Sequence, residues 1–589
     1  MKKIILNIIK QGWPYVPAFY LANKLTEAVV IIRSDDILVK LQNLKHALPV
    51  AFSNPLLSMR RQALIGGLVG IFIVFFIIQN ARDKKKKFRD GIEHGSARWG
   101  TPEELEALVD PDFSKNIILS ETERLRMTSM PKGMWQRACN KNVLVVGGSG
   151  SGKTSSFVKP NLMQCHSSYC ITDPKGQILQ ECGKMLQKNG YNIRFLDLID
   201  MDMSMKYNPL AYVKNDKDVR KVVNTLMINT KSEGTGGDSF FEDSASILLT
   251  ALVSYVCLVA EPEERNLNLV LDMMNAIELR DDPEWKNAVD TLMENLEKRY
   301  QKQKKPVPFC VKQYKKFQQA GYKTGQSILA TANAHVATLE LDEVRELISR
   351  DELSLDTLGD DYNALFIIIP DTDCTFNFIA AILYTQMFNL LCDKAKKCPK
   401  GRLPIHVRCI LDEFANIGKI PNFEILITTI RSREISVAPI LQTKSQIKAV
   451  YKDHAETVTG NCDSFLFLGG KEESTIKDIS EMLGRETLDS RSTSENTGRD
   501  KSFGQSFQRI GRELMSKDEI ASMDGGKCIV QIKGCRPFLS QKYNLTKHKN
   551  YPLLSDSNPK NEFDVKKYLA SLGRVKAKKS DIVEVVEVA

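Results

Sequence analysis

Residues able to do chemistry gather first in Gly147-Gly148-Ser149-Gly150-Ser151-Gly152-Lys153-Thr154, directly after the apolar run Asn142–Val146. This octet satisfies G-x-x-x-x-G-K-[ST] in full, in the strand-to-helix setting that the pattern requires. Glycines let the backbone curl so that successive N–H groups point inward, and a helix beginning near Thr154 adds its positive dipole end. Lys153 would reach the β- and γ-phosphates of a nucleoside triphosphate, and the Thr154 hydroxyl would ligate Mg²⁺. A nucleoside triphosphate with Mg²⁺ is the expected pair.

A second stretch, Val407–Leu411 followed by Asp412 and Glu413, reads as an apolar strand ending in two carboxylates. Asp412 would hold the hydration shell of the metal, and Glu413 would polarise the attacking water as general base. Asp-Glu pairs after apolar runs are common by chance, so this one takes its meaning from the glycine-rich loop. Arg408 interrupts the apolar pattern and predicts a strand with one less buried face.

Three further groups carry a functional and a bland reading side by side. Gln442, at the end of the run Ile435–Leu441, could sense a γ-phosphate, and Arg431 nearby could act as a finger on a neighbouring subunit. Surface salt bridges explain Arg431 and Arg433 equally well. Asp173-Pro174-Lys175-Gly176 follows another apolar run, either as a ligand-facing turn at a strand's end or as an ordinary β-turn. Between Lys298 and Lys323 there are many lysines, among them Lys312, Lys315 and Lys316, with no acid between them and with Tyr314 and other aromatics interleaved. Phosphate neutralisation plus base stacking would suit single-stranded DNA, while a solvated helix face with inward aromatics accounts for the same pattern.

The elements that must position these groups follow from hydrophobic runs. Asn142–Val146, Tyr169–Thr172, Ile193–Leu198, Ala364–Ile369, Val407–Leu411, Ile435–Leu441 and Ser464–Leu468 are continuous apolar strands separated by helical stretches, which predicts a mostly parallel α/β sheet. Residues 212–344 lack a strand and read as an all-helical insertion, with helices over Phe240–Val259 and Leu267–Ile277. Ser, Thr, Gly and charge over Glu486–Gly511 predict a mobile loop before a final strand, Cys528–Ile532. Beyond Lys547 a charged, peripheral tail is expected.

At 589 residues, with 26% charged and 8% aromatic residues, the chain has the composition of a multi-domain globular protein. Its net charge of +10 points to nucleic acid or an anionic membrane surface. Thirteen cysteines without a C-x-x-C pair, and seven histidines without ligand spacing, argue against zinc and against a disulfide framework. Near the N-terminus, Ala63–Ile78 is unbroken apolar sequence between Arg60-Arg61 and a four-lysine run, Lys84–Lys87. A span over residues 62–81 is predicted, with the lysines on the cytoplasmic side. Residues 4–22 form either a first span or an interfacial amphipathic segment, and two spans would leave residues 23–59 as an external loop.

His94-Gly95-Ser96-Ala97-Arg98-Trp99-Gly100, the phosphate loop, Thr172–Gly176, Tyr207-Asn208-Pro209-Leu210 and Leu411-Asp412-Glu413-Phe414 together resemble the coupling proteins of type IV secretion systems. That resemblance, from about Gly95 to Leu545, implies a RecA-like P-loop NTPase domain with an inserted all-α domain on an N-terminal transmembrane stem, assembled as a homo-hexamer. It implies ATP and Mg²⁺ roles for Lys153, Thr154, Asp412 and Glu413, a sensor role for Gln442 and a trans-acting finger role for Arg431. Where the family often has Glu after the Asp-Pro-Lys-Gly turn, this chain has Gln177. Expected partners are single-stranded DNA, a relaxase with its accessory relaxosome proteins, secretion-channel subunits and the lipid bilayer. The expected division is a membrane anchor over 1–90, nucleotide-binding parts over 91–211 and 345–547, an all-α insertion over 212–344 and a tail over 548–589. Two rival readings are a chromosome-segregating DNA pump and an ATP-switched docking platform for protein substrates.

Overall fold

Each run of β-branched and aliphatic residues becomes a strand in the computed structural model, which describes residues 13–34, 36–83, 92–131, 133–231, 239–282, 284–496 and 502–573. In chain order the strands are β1 (Asn116–Ile118), β2 (Arg124–Arg126), β3 (Val143–Val146), β4 (Ser168–Asp173), β5 (Asn192–Asp197), β6 (Asn363–Ile368), β7 (Val407–Leu411), β8 (Ile435–Leu441) and β9 (Ser464–Phe467). They continue with β10 (Arg485–Asn496), β11 (Ser502–Glu513), β12 (Lys527–Ile532) and β13 (Phe538–Gln541). Nine of them form one sheet in the order β13-β12-β9-β3-β8-β7-β4-β6-β5. From β9 to β5 every pairing is parallel, while β12 runs antiparallel to β9 and β13 antiparallel to β12.

Two consequences position the site. The parallel strands all end at one edge of the sheet, and β13, twice reversed, ends there too. β8 lies between β3 and β7, so the loop after β3 and the carboxylates after β7 flank the residue that follows β8. Both faces of these strands are covered, as continuous apolar runs require. β7 is buried throughout and Arg408 is 0% exposed, so the expected half-open face is absent. Its guanidinium runs to the far edge of the sheet, where Nη1 donates to the Lys141 carbonyl (3.0 Å) and the Ser436 hydroxyl (3.3 Å).

The unit up to Glu93 and the unit from His94 onward are separate compact bodies. In the first, α1 (Tyr15–Ile31), α2 (Ile37–Ser53) and α3 (Arg61–Asp83) are helices. Residues 23–59 are thus mostly helical, and the expected segment over 4–22 is helical from Tyr15 onward as part of α1; residues 1–12 lie outside the described part, as does the lysine run. Small residues let α3 approach α1: a Cβ on Gly70 would lie 2.4 Å from the Ala22 methyl and 2.9 Å from the Ala18 carbonyl oxygen.

In the second unit, the residues described between β5 and β6 hold helices only: α4 (Asp216–Asn229), α5 (Ser239–Val259), α6 (Leu267–Asn275), α7 (Ala288–Lys302), α8 (Phe309–Gln318), α9 (Tyr322–Val336) and α10 (Asp342–Leu347). By length and hydropathy, two described helices could cross a membrane, Arg61–Asn80 and α5. α5 is half-buried, because α4, α8 and α9 pack around it, which accounts for its apolar composition as core.

Two expectations are corrected here. Residues 486–496 and 502–511 are not a loop: β10 and β11 pair antiparallel from Arg485–Glu513 to Asn496–Ser502, and 497–501 lie outside the described residues. Such a ribbon buries no face, so its polar composition resembled a loop; its base is pinned where the Ala97 N–H donates to the Arg485 carbonyl (2.9 Å). The segment after Lys547 is not peripheral as far as Gly573. Phe563 packs on Gly183, Tyr568 donates to the Ile193 carbonyl (2.8 Å) and Asp556 pairs with the buried Lys159 (2.7 Å).

Candidate nucleotide site

Gly147 continues the ladder beyond β3, donating its N–H to the Leu441 carbonyl (3.0 Å), and the chain then curls through Gly150 (φ 72°) and Gly152 (φ 82°). Both positions are left-handed, where a side chain would strain the loop. The loop opens onto one turn of wide π geometry, Thr154–Val158, a distortion that recurs at functional sites. Lys153 folds back so that Nζ donates to the Gly147 carbonyl (2.9 Å) and stands 3.6 Å from the Glu413 carboxylate. The buried Ser151 hydroxyl has no hydrogen-bond partner.

Across the cleft, Asp412 closes β7 and Glu413 takes up a left-handed conformation (φ 47°, ψ 50°), a strain that surrounding packing must hold. The Glu413 N–H donates to Asp412 Oδ1 (3.1 Å), and Gln442 Nε2 donates to Glu413 Oε1 (3.1 Å). Gln442 is itself fixed, because its N–H donates to Gln446 Oε1 (2.8 Å) in the cap of the next helix. Burial, then the charge of Glu413, raises the Asp412 carboxyl to about 6, and burial raises Asp173 to about 6. Carboxylates so placed favour a cation beside them. The cleft holds about 550 Å³ and is lined by the phosphate loop, Asp173, Lys175, Asp412, Glu413 and Gln442. Hard oxygen donors, a glycine cradle and one unsatisfied hydroxyl fit a triphosphate with Mg²⁺.

The family model for type IV secretory system conjugative DNA transfer matches residues 106–570. The chain belongs to that family, the coupling proteins of conjugation. Relatives include a conjugal transfer protein TraG of Escherichia coli, 22% identical over 78% of this chain and 75% of that protein. Protein VirD4 of Rhizobium radiobacter is 21% identical over 77% of this chain and 64% of that protein. Among solved structures, the conjugative coupling protein TrwBΔN70 aligns with a TM-score of 0.51 at 17% identity, over 77% of this chain and 96% of that one. TrwB in complex with ADP and Mg²⁺ gives the same score over 76% and 94%. These likenesses support the RecA-like α/β fold.

Within this coupling-protein chain, Lys153, Asp412, Glu413 and Gln442 converge, whereas Arg431 does not join them. It is exposed just before β8 begins, its Nη2 donating to the Ala138 carbonyl (3.3 Å), so about 23 Å of strand separates it from Gln442. In α8, Lys312, Lys315 and Lys316 are exposed, with Lys315 paired to Glu297 (2.6 Å). Tyr314 is corrected: it is buried, its hydroxyl donating to Asp290 (2.9 Å), and Phe317 is buried beside it, so neither presents a ring for base stacking. A helix must bury one face, and the interleaved aromatics supply it.

Sequence reasoning left Asp173 undecided and overlooked Lys159, Glu181, Asp371, Asn416 and Lys542. Their signal is topological: each sits at the strand-end edge or on an element packed there, which no local pattern announces.

Proposed function

We propose that this coupling protein is a membrane-anchored ATPase that recruits relaxase-bound single-stranded DNA and drives its transfer towards a secretion channel, working as a homo-hexameric ring with its nucleotide domain in the cytoplasm. The observation that carries this reading is the split of one catalytic set between the two edges of the sheet. Lys153, Glu413 and Gln442 occupy the cleft, while Arg431 stands at the opposite edge, exposed and available to a neighbour. In this reading residues 91–211 and 345–547 form the motor domain and 212–344 the inserted all-α domain.

Thr154 and Asp412 would hold Mg²⁺, which when bound neutralises charge on the β- and γ-phosphates. Loop N–H groups from Gly148 to Thr154 orient the phosphates, and Lys153 leaves the Gly147 carbonyl to meet them. Glu413, aligned by Gln442, accepts a proton from the attacking water. Gln442 thereby links the γ-phosphate to the helix that its backbone caps. Arg431 of one subunit steadies the charge that develops in the next subunit's cleft. The exposed Lys312, Lys315 and Lys316 grip the phosphate backbone by charge alone, without stacking by Tyr314.

ATP turnover measured with and without single-stranded DNA tests the motor. Stimulation by DNA, abolished in Lys153→Ala, is expected. Turnover that ignores DNA would favour an ATP-switched docking platform. Replacing Lys312, Lys315 and Lys316 by Gln should weaken strand binding and reduce its salt slope, and an unchanged slope would remove α8 from the interface.

A further inference from the structure

β13 ends at the nucleotide edge, and its next residue, Lys542, turns towards the phosphate loop. The Lys542 backbone is fixed where its N–H donates to the Gly526 carbonyl (2.7 Å), and its half-buried ammonium donates to the Ser151 carbonyl at 2.8 Å. Lys542 does not line the cleft. It therefore grips the loop from outside.

In a trans peptide the C=O and N–H lie in one plane and point in opposite directions. Holding the Ser151 carbonyl outward thus aims the Gly152 N–H inward, at the place where phosphate oxygens must sit. A cation on the carbonyl oxygen also draws electron density through the amide and makes that N–H a better donor. Gly152 has no side chain and a left-handed φ, so no side chain of its own resists rotation of this peptide; its carbonyl, which accepts from the Ser156 N–H (2.8 Å), belongs to the next peptide. The Ser151 hydroxyl, buried without a partner, does not restrain it either. The restraint comes from a lysine 391 residues away.

We propose that Lys542 is a positioning residue for phosphate binding: its ammonium clamps and polarises the Ser151–Gly152 peptide so that the Gly152 N–H is presented to the nucleotide's phosphates. This rests on the reading of the cleft as an ATP site. The same C-terminal segment holds the following helix, where Asp556 and Glu181 pair with Lys159 (2.7 and 2.8 Å) and Asn550 donates to the Met163 carbonyl (2.7 Å). Residues that follow β13 thereby hold the phosphate loop at Ser151 and the helix after it at Lys159 and Met163.

The test compares Lys542→Ala, Lys542→Met and Lys542→Arg in the full-length chain, by affinity for Mg-ADP and Mg-ATP, by steady-state turnover and by melting temperature without nucleotide. Ala and Met should weaken ADP and ATP alike, roughly tenfold, as expected for one charge-assisted hydrogen bond. KM should rise in step with kcat little changed, the nucleotide-free melting temperature should hold, and Arg should restore most of the affinity. Substitution at Gln442, by contrast, should spare ADP. Unchanged affinity in Lys542→Ala, or a loss that only tracks a lower melting temperature, would overturn the proposal. Absence of nucleotide binding by the unaltered chain would overturn the site reading itself.

Discussion

The two edges of the central sheet are built from the same strands and handle charge in opposite ways. At the edge where the parallel strands end, Lys153, Asp412, Glu413 and Gln442 face an open cleft and exchange few bonds with one another. At the edge where they begin, the packed base of the fold, Glu434 neutralises Lys141 and Arg402 and accepts from His406, while Arg408 is held by a carbonyl and a hydroxyl. Glu434 accepts from Arg402 (2.9 Å), His406 Nδ1 (3.0 Å) and Lys141 (3.4 Å). Its hydrogen bond with His406 holds the Glu434 carboxyl near 2, while burial drives His406 down to about 4 and Arg408 to about 10. Charge on these cleft residues, paired only through the 3.6 Å contact of Lys153 with Glu413, is available for chemistry, and charge paired at the base is structural. Arg431 is the exception at the base: it is exposed and bound only to a carbonyl.

The largest expected effect concerns that exception. Arg431→Ala should lower turnover about 10³-fold or more with nucleotide affinity kept, and in mixed assemblies a Glu413→Gln subunit, which keeps Arg431, should restore turnover in the neighbouring Arg431→Ala cleft, which keeps Glu413. Failure of such complementation would return Arg431 to the structural set. Glu413→Gln should cost roughly 10²–10⁴ in turnover while ATP still binds, measured by single-turnover hydrolysis. On the structural side, Arg408→Ala should cost about 2–4 kcal/mol in denaturant unfolding, from the cavity and the orphaned Lys141 carbonyl. Its nucleotide affinity should stay unchanged, and a large loss would mean that the two edges are coupled.

The smallest effect is a pH dependence. Folded His406 stays neutral to about pH 4, whereas in the unfolded chain it takes a proton near 6.5. Between those values the unfolded state binds more protons, so stability falls as pH falls from about 6.5 to 4. His406→Asn should flatten that limb in melting curves without altering turnover at neutral pH.

Much of the fold was legible along the chain. All eight expected strands stand within one residue of their positions; seven of them are buried parallel strands, uninterrupted apolar runs that little else imitates, and the eighth, β12, is antiparallel. Other features needed the third dimension. β10 and β11 carry no apolar alternation, since a ribbon solvated on both faces needs none. Tyr314 reads identically as a stacking platform or as core, and only the position of Asp290 on α7 decides between them. Arg408 looked like a sign of exposure, yet its long side chain carries its charge out of the sheet's middle to its edge.

By itself, the sequence determined the chemistry of the loop, the two carboxylates and the parallel sheet, because each depends on residues adjacent in the chain. Whether those parts meet depended on strand order. With β8 between β3 and β7, Gln442 reaches Glu413, and with β13 reversed twice, Lys542 reaches Ser151. Contacts between residues so far apart arise from how strands pair and cross over, and no local pattern encodes that. The tertiary structure alone also placed Arg431 at the far edge, beyond the reach of its own cleft.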